Sequence, residues 1–138
     1  LEFEGGVPGV LICSQVSAGE ENAITVKVYG TKGGVHWCQE DENTLLVKRH
    51  GAPNQIYRTG VDNSYLSEAA LVHARVPSGH PEGYLDAFAN IYKEFAQSLK
   101  SKKNKRYFYP DEDEGFETAK FINACKVSSK SKKWVKIK

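Results

Sequence analysis

Length, composition and charge already exclude several classes of protein. The chain has 138 residues, a formal net charge of +2 and 26% charged residues, values typical of one globular domain with no strong attraction to a polyanion. It contains neither an apolar run of the roughly 18 residues that a membrane span needs nor a secretory leader. We therefore expect one cytoplasmic domain over residues 1–138 that does not cross a membrane.

The first sixty residues predict an antiparallel sheet. Residues 1–4 and 7–16 are predicted as strands on either side of a Gly-Gly turn, and further strands are predicted at 24–29, 35–39, 43–50 and 54–59. The glycine-rich residues 30–34 connect two strands, so they predict a hairpin turn rather than a phosphate-binding loop, which must open a helix. Short turns between successive strands favour antiparallel pairing.

The second half predicts helices. Residues 61–78 lack periodicity, which is typical of a functional loop or of short helical turns. Helices are predicted over residues 81 to about 100 and about 114 to 128, joined by a charged connector, and 132–137 are predicted as a strand or extended segment. Strands followed by helices predict an α+β fold, a mostly antiparallel open sheet with helices on one face. Apolar side chains at helical spacing in the first helix predict its main core stripe: Tyr84, Phe88, Ile91, Phe95 and Leu99.

The cysteines and histidines give no sign of a metal or a disulfide. Cys13, Cys38 and Cys125 are odd in number, widely spaced and placed among apolar neighbours, which favours buried reduced thiols in a reducing compartment. His36 and Cys38 share a predicted strand face, but this pair is too weak a signal to assign a metal. We predict no metal site.

A lysine-rich end is the one feature that favours nucleic acid. Lysines crowd residues 126–138 around Trp134, and a basic patch with an aromatic side chain can bind a single strand. No nucleic-acid motif accompanies them, and charge runs at termini are usually solvated. We predict no nucleic-acid partner.

The sequence GHPEGY at residues 79–84 contains the strongest candidate for a binding residue. Small residues bring His80 to the start of the predicted helix, where backbone N–H groups are free to meet a substrate. Pro81 has the fixed φ that suits a first helical position. A histidine at a loop end can equally be an ordinary helix-entry residue, so spacing alone leaves both roles of His80 open.

Four ordered blocks carry a family resemblance. They are SQVSAGEEN at residues 14–22, VYGTKGGVHW at 28–37, GHPEGY at 79–84 and AFANIY at 87–92. In this order they resemble the C-terminal domain of the Gfo/Idh/MocA oxidoreductases, the family of glucose-fructose oxidoreductase and inositol dehydrogenase. The similarity extends over essentially all of the chain, including its ending at residues 121–135.

The resemblance implies a two-domain enzyme that uses NAD or NADP to oxidise a hydroxyl or reduce a carbonyl on a sugar, cyclitol or related polyol. In this family the glycine-rich dinucleotide fingerprint and the E-K-P motif with its catalytic lysine belong to an N-terminal Rossmann domain, and this sequence contains neither. The chain has no methionine and opens on a strand pattern, so we expect a piece of a longer protein. By itself it is expected to hold no catalytic residue, bind no cofactor and be inactive.

The resemblance also implies where a small-molecule sugar or polyol binds. It places the loop around His80 and the stretch after Gly60 beside the substrate cleft. Tyr84 could offer a hydroxyl, and Gln15 and Asn22 could hydrogen-bond a polyol. The alternatives are that Tyr84 belongs to the core and that Gln15 and Asn22 stabilise turns.

The expected partners are the missing Rossmann domain and a second copy of the chain. Ile24, Val26 and Val28 alternate against Leu45 and Val47, which predicts an apolar sheet face of the kind that marks an interface. The resemblance implies subunit association through the same face, hence a homo-oligomer. The rival hypothesis is a free-standing ligand-binding or protein-interaction domain with no catalytic role.

Overall fold

The computed structural model describes residues 1–100 and 109–137, and the chain divides into two compact units, Leu1–Pro81 and Glu82–Lys138. All strands of the described residues lie in the first unit, and the two long helices lie in the second. Strands come before the long helices along the chain, so the predicted α+β class is confirmed. Residues 101–108, most of the predicted charged connector, lie outside the described residues.

The first unit is built on a four-stranded antiparallel sheet whose strands follow one another in chain order. A separate small hairpin precedes it, formed by β1 (Glu2–Phe3) and β2 (Val7–Pro8). The strands of the main sheet are β3 (Thr25–Gly30), β4 (Gly33–Cys38), β5 (Thr44–Arg49) and β6 (Gln55–Arg58). All four were predicted from the sequence, with end points that differ by one or two residues.

The register gives the main sheet an apolar face. Directly opposed residues of an antiparallel pair share a face, and two rows of such residues run across the sheet. Together they form what we call the apolar face, which consists of Val26, Trp37, Leu45 and Tyr57 in one row and Val28, Val35, Val47 and Gln55 in the next. The face contains every residue of the predicted apolar pattern that lies within a strand.

Gly33 allows β4 and β5 to approach each other. A Cβ atom at this residue would lie 2.0 Å from the carbonyl oxygen of Lys48, which is backbone and cannot move aside. Gly33 also pairs with Gly30 across the two-residue loop 31–32. Residues 30–34 therefore form the predicted hairpin, and the glycine at its exit is required by packing.

The predicted strand over residues 7–16 is wrong beyond Pro8. Residues 10–16 have no regular structure, and Val10, Ile12 and Val16 are 87%, 86% and 92% exposed. An apolar sequence forms a strand only where a neighbouring strand satisfies its backbone groups, and β1 pairs with only two residues of this stretch. The buried-thiol prediction is also wrong for Cys13, which lies in this stretch, and for Cys125: both are exposed and free.

The helices begin where side chains cap them. Helix α1 (Glu68–Leu71) confirms the short helical turn predicted in residues 61–78, and α2 (Tyr84–Lys100) begins three residues after the predicted position. The Gly83 N–H donates to the Asp86 carboxylate at 3.0 Å, which fixes that start. Helix α3 (Glu112–Ser131) contains the predicted second helix and opens with a capping box formed by Asp111 and Glu114. No helix in the described part of the chain combines the length and apolar character that a bilayer span requires.

The predicted core stripe of α2 is largely exposed. Phe88 is 44% and Phe95 47% exposed, and Tyr84 reaches 70%. Tyr109 covers one end of the stripe, with its ring edge-on to Phe95 at 5.7 Å and its hydroxyl 3.0 Å from the Ser98 hydroxyl. No hydrophobic side chain of the described residues is fully buried. The prediction that this stripe is a closed core is therefore wrong, because a helix stripe becomes core only where a second surface covers it.

Substitution of Gly33 tests the close approach of β4 and β5. We expect Gly33→Ala to lower the free energy of unfolding by about 2–3 kcal/mol, because the new methyl group overlaps the Lys48 carbonyl and must push two strands apart. Denaturant unfolding followed by circular dichroism measures this loss. Gly30→Ala is the control, since its Cβ would meet nothing closer than 3.9 Å. Equal losses in the two variants would contradict the packing argument.

Candidate functional site

The loop that leads to His80 is closed by a carboxylate. Near its start the Val61 N–H donates to the Val76 carbonyl at 3.1 Å. One residue further on, Asp62 Oδ1 accepts from the backbone N–H of Ser78 at 3.0 Å and from the Ser78 hydroxyl at 3.3 Å. These bonds join the two ends of residues 61–78, so the long irregular segment has a fixed base.

Asn63 and Gly60 complete this closure. Asn63 Nδ2 donates to the Ser78 hydroxyl at 2.5 Å and to the Arg58 carbonyl at 2.8 Å, which links the loop base to β6. Gly60 is buried, and a Cβ atom there would lie 2.5 Å from Ser78 N and 2.7 Å from Asp62 Oδ1. We call Gly60, Asp62, Asn63 and Ser78 the Ser78 cluster. Ser78 is its centre, because its hydroxyl accepts from one side chain and donates to another.

Tyr65 attaches the same loop to the end of the sheet. Its hydroxyl donates to the Arg58 carbonyl at 2.8 Å and accepts from the Arg58 N–H at 3.1 Å. Its ring stands edge-on to Tyr57 of the apolar face, with centroids 5.1 Å apart, a favourable aromatic geometry. The loop is thus anchored to β6 by both a polar and an apolar contact.

His80 follows the Ser78 cluster by two residues and is exposed. Its backbone N–H donates to the Pro77 carbonyl at 3.2 Å, and its ring Nδ1 lies 3.2 Å from the same oxygen. A carbonyl oxygen can only accept, so Nδ1 is the donor in this contact, and in the neutral tautomer that carries this proton Nε2 is an acceptor. Because α2 begins at Tyr84, the predicted position of His80 at a helix start is wrong: it lies in a turn before the helix.

The other three predicted site residues belong to other segments of the chain. Tyr84 is the first residue of α2, in the second unit, with its ring 4.8 Å from Phe88; its 70% exposure contradicts the core alternative. Gln15 lies in the irregular stretch 10–16 and Asn22 in an exposed loop. Among the described residues no hydrogen bond joins either of these two side chains to His80. The roles proposed for Gln15, Asn22 and Tyr84 stay predictions.

The charge of Asp62 is stabilised by its surroundings. The backbone N–H of Ser78 is the largest influence and lowers the pKa of the Asp62 carboxyl below its ordinary value of 3.8. The backbone N–H of Asp62 itself also lowers that pKa, burial raises it, and the Ser78 hydroxyl and the electrostatic effect of the His80 ring lower it to a smaller extent. Asp62 is therefore ionised at neutral pH.

A cavity of about 320 Å³ lies in the first unit beneath the same loop. Its wall includes three aromatic and three aliphatic side chains: Trp37, Tyr57, Tyr65, Leu45, Leu66 and Ala70. Two polar groups in this wall already have partners, since Trp37 Nε1 donates to the Glu42 carbonyl at 2.9 Å and Asn43 Oδ1 accepts from the Thr59 hydroxyl at 2.8 Å. A polyol site needs several polar groups, and the wall of this cavity is mainly apolar.

The described residues do not fit a dinucleotide or a metal ion. Pyrophosphate binding needs a glycine-rich turn that follows a strand and opens a helix, whereas residues 30–34 join two strands and α2 follows a loop. Within residues 1–100 no helix follows a strand through such a turn. No cluster of three metal-ligating side chains occurs in the part of the chain that the structure describes.

Comparisons with known proteins identify the family. The family described as "Oxidoreductase family, C-terminal alpha/beta domain" matches residues 1–137, so the chain belongs to the Gfo/Idh/MocA oxidoreductases. An oxidoreductase from Sinorhizobium meliloti is 43% identical, with a TM-score of 0.82 over 90% of this chain and 35% of that one. This confirms the family resemblance drawn from the sequence.

Two further relatives are also much longer than this chain. An inositol dehydrogenase homolog from Azotobacter vinelandii, solved in complex with NADH and myo-inositol, is 30% identical with a TM-score of 0.79, over 88% of this chain and 33% of that one. The oxidoreductase YfiI of Bacillus subtilis, itself described as uncharacterized, is 28% identical over 145 residues, 100% of this chain and 36% of YfiI. The chain spans about a third of the length of these relatives.

Sequence reasoning did not single out the Ser78 cluster. The available signals were weak: a glycine followed closely by Asp-Asn, residue types that often make turns, at the start of a long aperiodic segment. Nothing local connects them to Ser78, which is 16 residues from Asp62. The cluster is therefore a product of the tertiary structure.

The lowered pKa of Asp62 makes stability depend on pH in a defined direction. The native state binds the Asp62 proton more weakly than the unfolded chain does, so this stabilisation is present above the unfolded value of 3.8 and is lost as pH falls through the lower native value. We expect the unfolding free energy to decrease below pH 4 more steeply in the unaltered chain than in Asp62→Asn. Urea unfolding between pH 2.5 and 7 measures both slopes.

Ser78→Ala is the matched variant for this pH experiment. It removes the hydroxyl but keeps the backbone N–H that lowers the Asp62 pKa most, so most of the pH dependence is expected to persist. Identical slopes for the unaltered chain and Asp62→Asn would contradict the assignment.

Proposed function

We propose that the chain is the substrate-binding and subunit-association domain of an NAD(P)-dependent oxidoreductase that acts on a sugar, cyclitol or related polyol. The observation that carries the proposal is the family match over residues 1–137, supported by likeness to an inositol dehydrogenase homolog solved with NADH and myo-inositol. NAD or NADP would be held by an N-terminal Rossmann domain in the full-length protein. The cytoplasmic location stays a prediction.

The proposed role of His80 is to bind substrate rather than to react. In the neutral tautomer that donates from Nδ1 to the Pro77 carbonyl, Nε2 of this exposed ring can accept a hydrogen bond from a hydroxyl of a polyol. An anchored turn suits this task, because a sugar site needs polar groups on a fixed frame. The proton and hydride steps would be carried out by groups outside this chain, and the chain alone would be inactive.

The His80 side chain can be tested in the full-length protein. With myo-inositol and NAD⁺ as substrates, we expect His80→Ala to lower kcat/KM about ten-fold, which corresponds to about 1.4 kcal/mol, the scale of one polar contact. The Kd for NAD⁺ should stay unchanged, since the nucleotide is held elsewhere. Steady-state kinetics and fluorescence titration give the two values.

His50→Ala is the matched control for that experiment. His50 is also an exposed histidine in a turn, and its backbone bond to Lys32 survives the substitution. Unaltered kinetics in His80→Ala would return His80 to a structural role.

The chain by itself is expected to bind neither NAD⁺ nor NADP⁺. The described residues offer no glycine-rich turn at a helix start, and a pyrophosphate needs the backbone N–H groups that such a turn provides. Isothermal titration calorimetry with each nucleotide at millimolar concentration is the measurement. Saturable binding at micromolar affinity would overturn the assignment of the nucleotide to another domain.

The apolar face is the proposed surface for association with a second copy. Val26 is 46% and Val28 57% exposed on adjacent rows of one sheet face, and contiguous exposed apolar area usually marks an interface. The row of Val28, Val35 and Val47 lies outside the wall of the cavity beneath the loop, so it is the part of the face proposed to meet a second copy. The homo-oligomer predicted from the sequence would form through these residues.

A charge on the apolar face should separate the subunits. We expect sedimentation velocity to show a dimer or larger species for the unaltered chain at micromolar concentration and a monomer for Val28→Asp, because burying an unpaired carboxylate is costly. Lys27→Asp is the control, since the neighbouring residue of the same strand points to the opposite face. A monomeric unaltered chain would contradict the assignment of this face.

A further inference from the structure

We infer that Asp62 is a positioning residue, which holds the turn of residues 77–80 so that the His80 ring presents Nε2 to the substrate. The inference rests on the proposed function, in which His80 contacts a polyol. It adds a residue that the sequence did not identify and that does not itself touch the ligand.

A single peptide group connects Asp62 to His80. The Ser78 N–H and the Pro77 C=O belong to the same peptide group, which is planar and trans, so the two bonds point in opposite directions. Asp62 Oδ1 accepts from the N–H on one side. On the other side the C=O accepts from the His80 backbone and contacts its ring Nδ1. Rotation of this one plane would break the Asp62 bond and both His80 contacts together.

A turn brings His80 back to Pro77. The bond from the His80 N–H to the Pro77 carbonyl closes a four-residue turn, with Gly79 at its third position at a φ of +88°. That position favours glycine in turns of this kind. The turn therefore has one conformation in which the His80 ring meets the carbonyl, and the orientation of that carbonyl decides where the ring points.

The charge of Asp62 strengthens the hydrogen bonds that fix this peptide plane. Asp62 is ionised and receives two bonds from Ser78, and a charged acceptor makes hydrogen bonds stronger than a neutral one does. Asn63 also donates to the Ser78 hydroxyl, which fixes that hydroxyl in the direction of Asp62. The Asp62 carboxylate thus fixes the peptide plane. Asn63 connects the Ser78 hydroxyl to the Arg58 carbonyl in β6.

A double-mutant cycle in the full-length protein tests the inference. With myo-inositol and NAD⁺, Asp62→Ala is expected to lower kcat/KM about five-fold without changing the Kd for NAD⁺, and to cause no further loss in a His80→Ala background. Asp62→Asn should restore part of the loss, because an amide oxygen can still accept from the Ser78 N–H. Asp41→Ala is the control, as it removes an exposed loop carboxylate that accepts from a Thr44 hydroxyl.

The outcomes separate the inference from the proposed function. Equal losses from Asp62→Ala in both backgrounds would show an effect that does not pass through His80, and would overturn the inference while the proposed function stands. Unaltered kinetics in His80→Ala alone would overturn the role of His80 in the proposed function.

Hydrogen exchange of the chain itself tests whether Asp62 positions the turn of residues 77–80. Asp62→Ala should speed exchange of both the Ser78 and His80 amides, because the first loses its acceptor and the second depends on the same peptide plane. Faster exchange at Ser78 alone would overturn the positioning role of Asp62. Asp41→Ala should leave both amides unchanged, and matching circular dichroism spectra confirm that the variants are folded.

Discussion

The hydrogen-bonded ladder from β3 to β6 is the constraint on which the rest of the first unit depends. No hydrophobic side chain of the described residues is fully buried, so the order of this unit comes mainly from backbone pairing in one register. Gly33 is critical to that register, because any side chain there would collide with the backbone of β5. The ladder ends at Arg58, whose backbone groups accept from Asn63 and pair with Tyr65. The start of the loop of residues 61–78 is therefore fixed by the sheet.

A short series of hydrogen bonds connects Arg58 to His80. Asn63 connects β6 to Ser78, Asp62 holds the Ser78 peptide, and the Pro77 carbonyl of that peptide contacts the ring of His80. Each partner is a polar group with a fixed direction. An exposed histidine can thereby keep a defined orientation without being buried, which suits the substrate contact proposed for it.

The exposed apolar surfaces are as informative as the polar cluster. The apolar face of the sheet and the stripe of α2 each leave large side chains between one third and three quarters exposed, such as Val28 at 57% and Tyr84 at 70%. Surfaces of this kind are stable in water when another surface covers them. The relatives are about three times as long as this chain. In the proposed full-length protein, a Rossmann domain and a second subunit would cover these apolar surfaces.

The sequence by itself determined the features that depend on neighbouring residues. Alternation predicted β3, and the turns between short strands predicted β4 to β6. Glycines predicted the hairpin at residues 30–34, helical spacing predicted α2 and α3, and the ordered blocks predicted the family. The tertiary structure alone decided the features that depend on distant partners. Residues 10–16 are apolar enough for a strand but remain irregular, and the α2 stripe is periodic but uncovered. Asp62 meets Ser78 across 16 residues, a contact that no local pattern encodes, because it exists only once the sheet and the turns have brought both ends of the loop together.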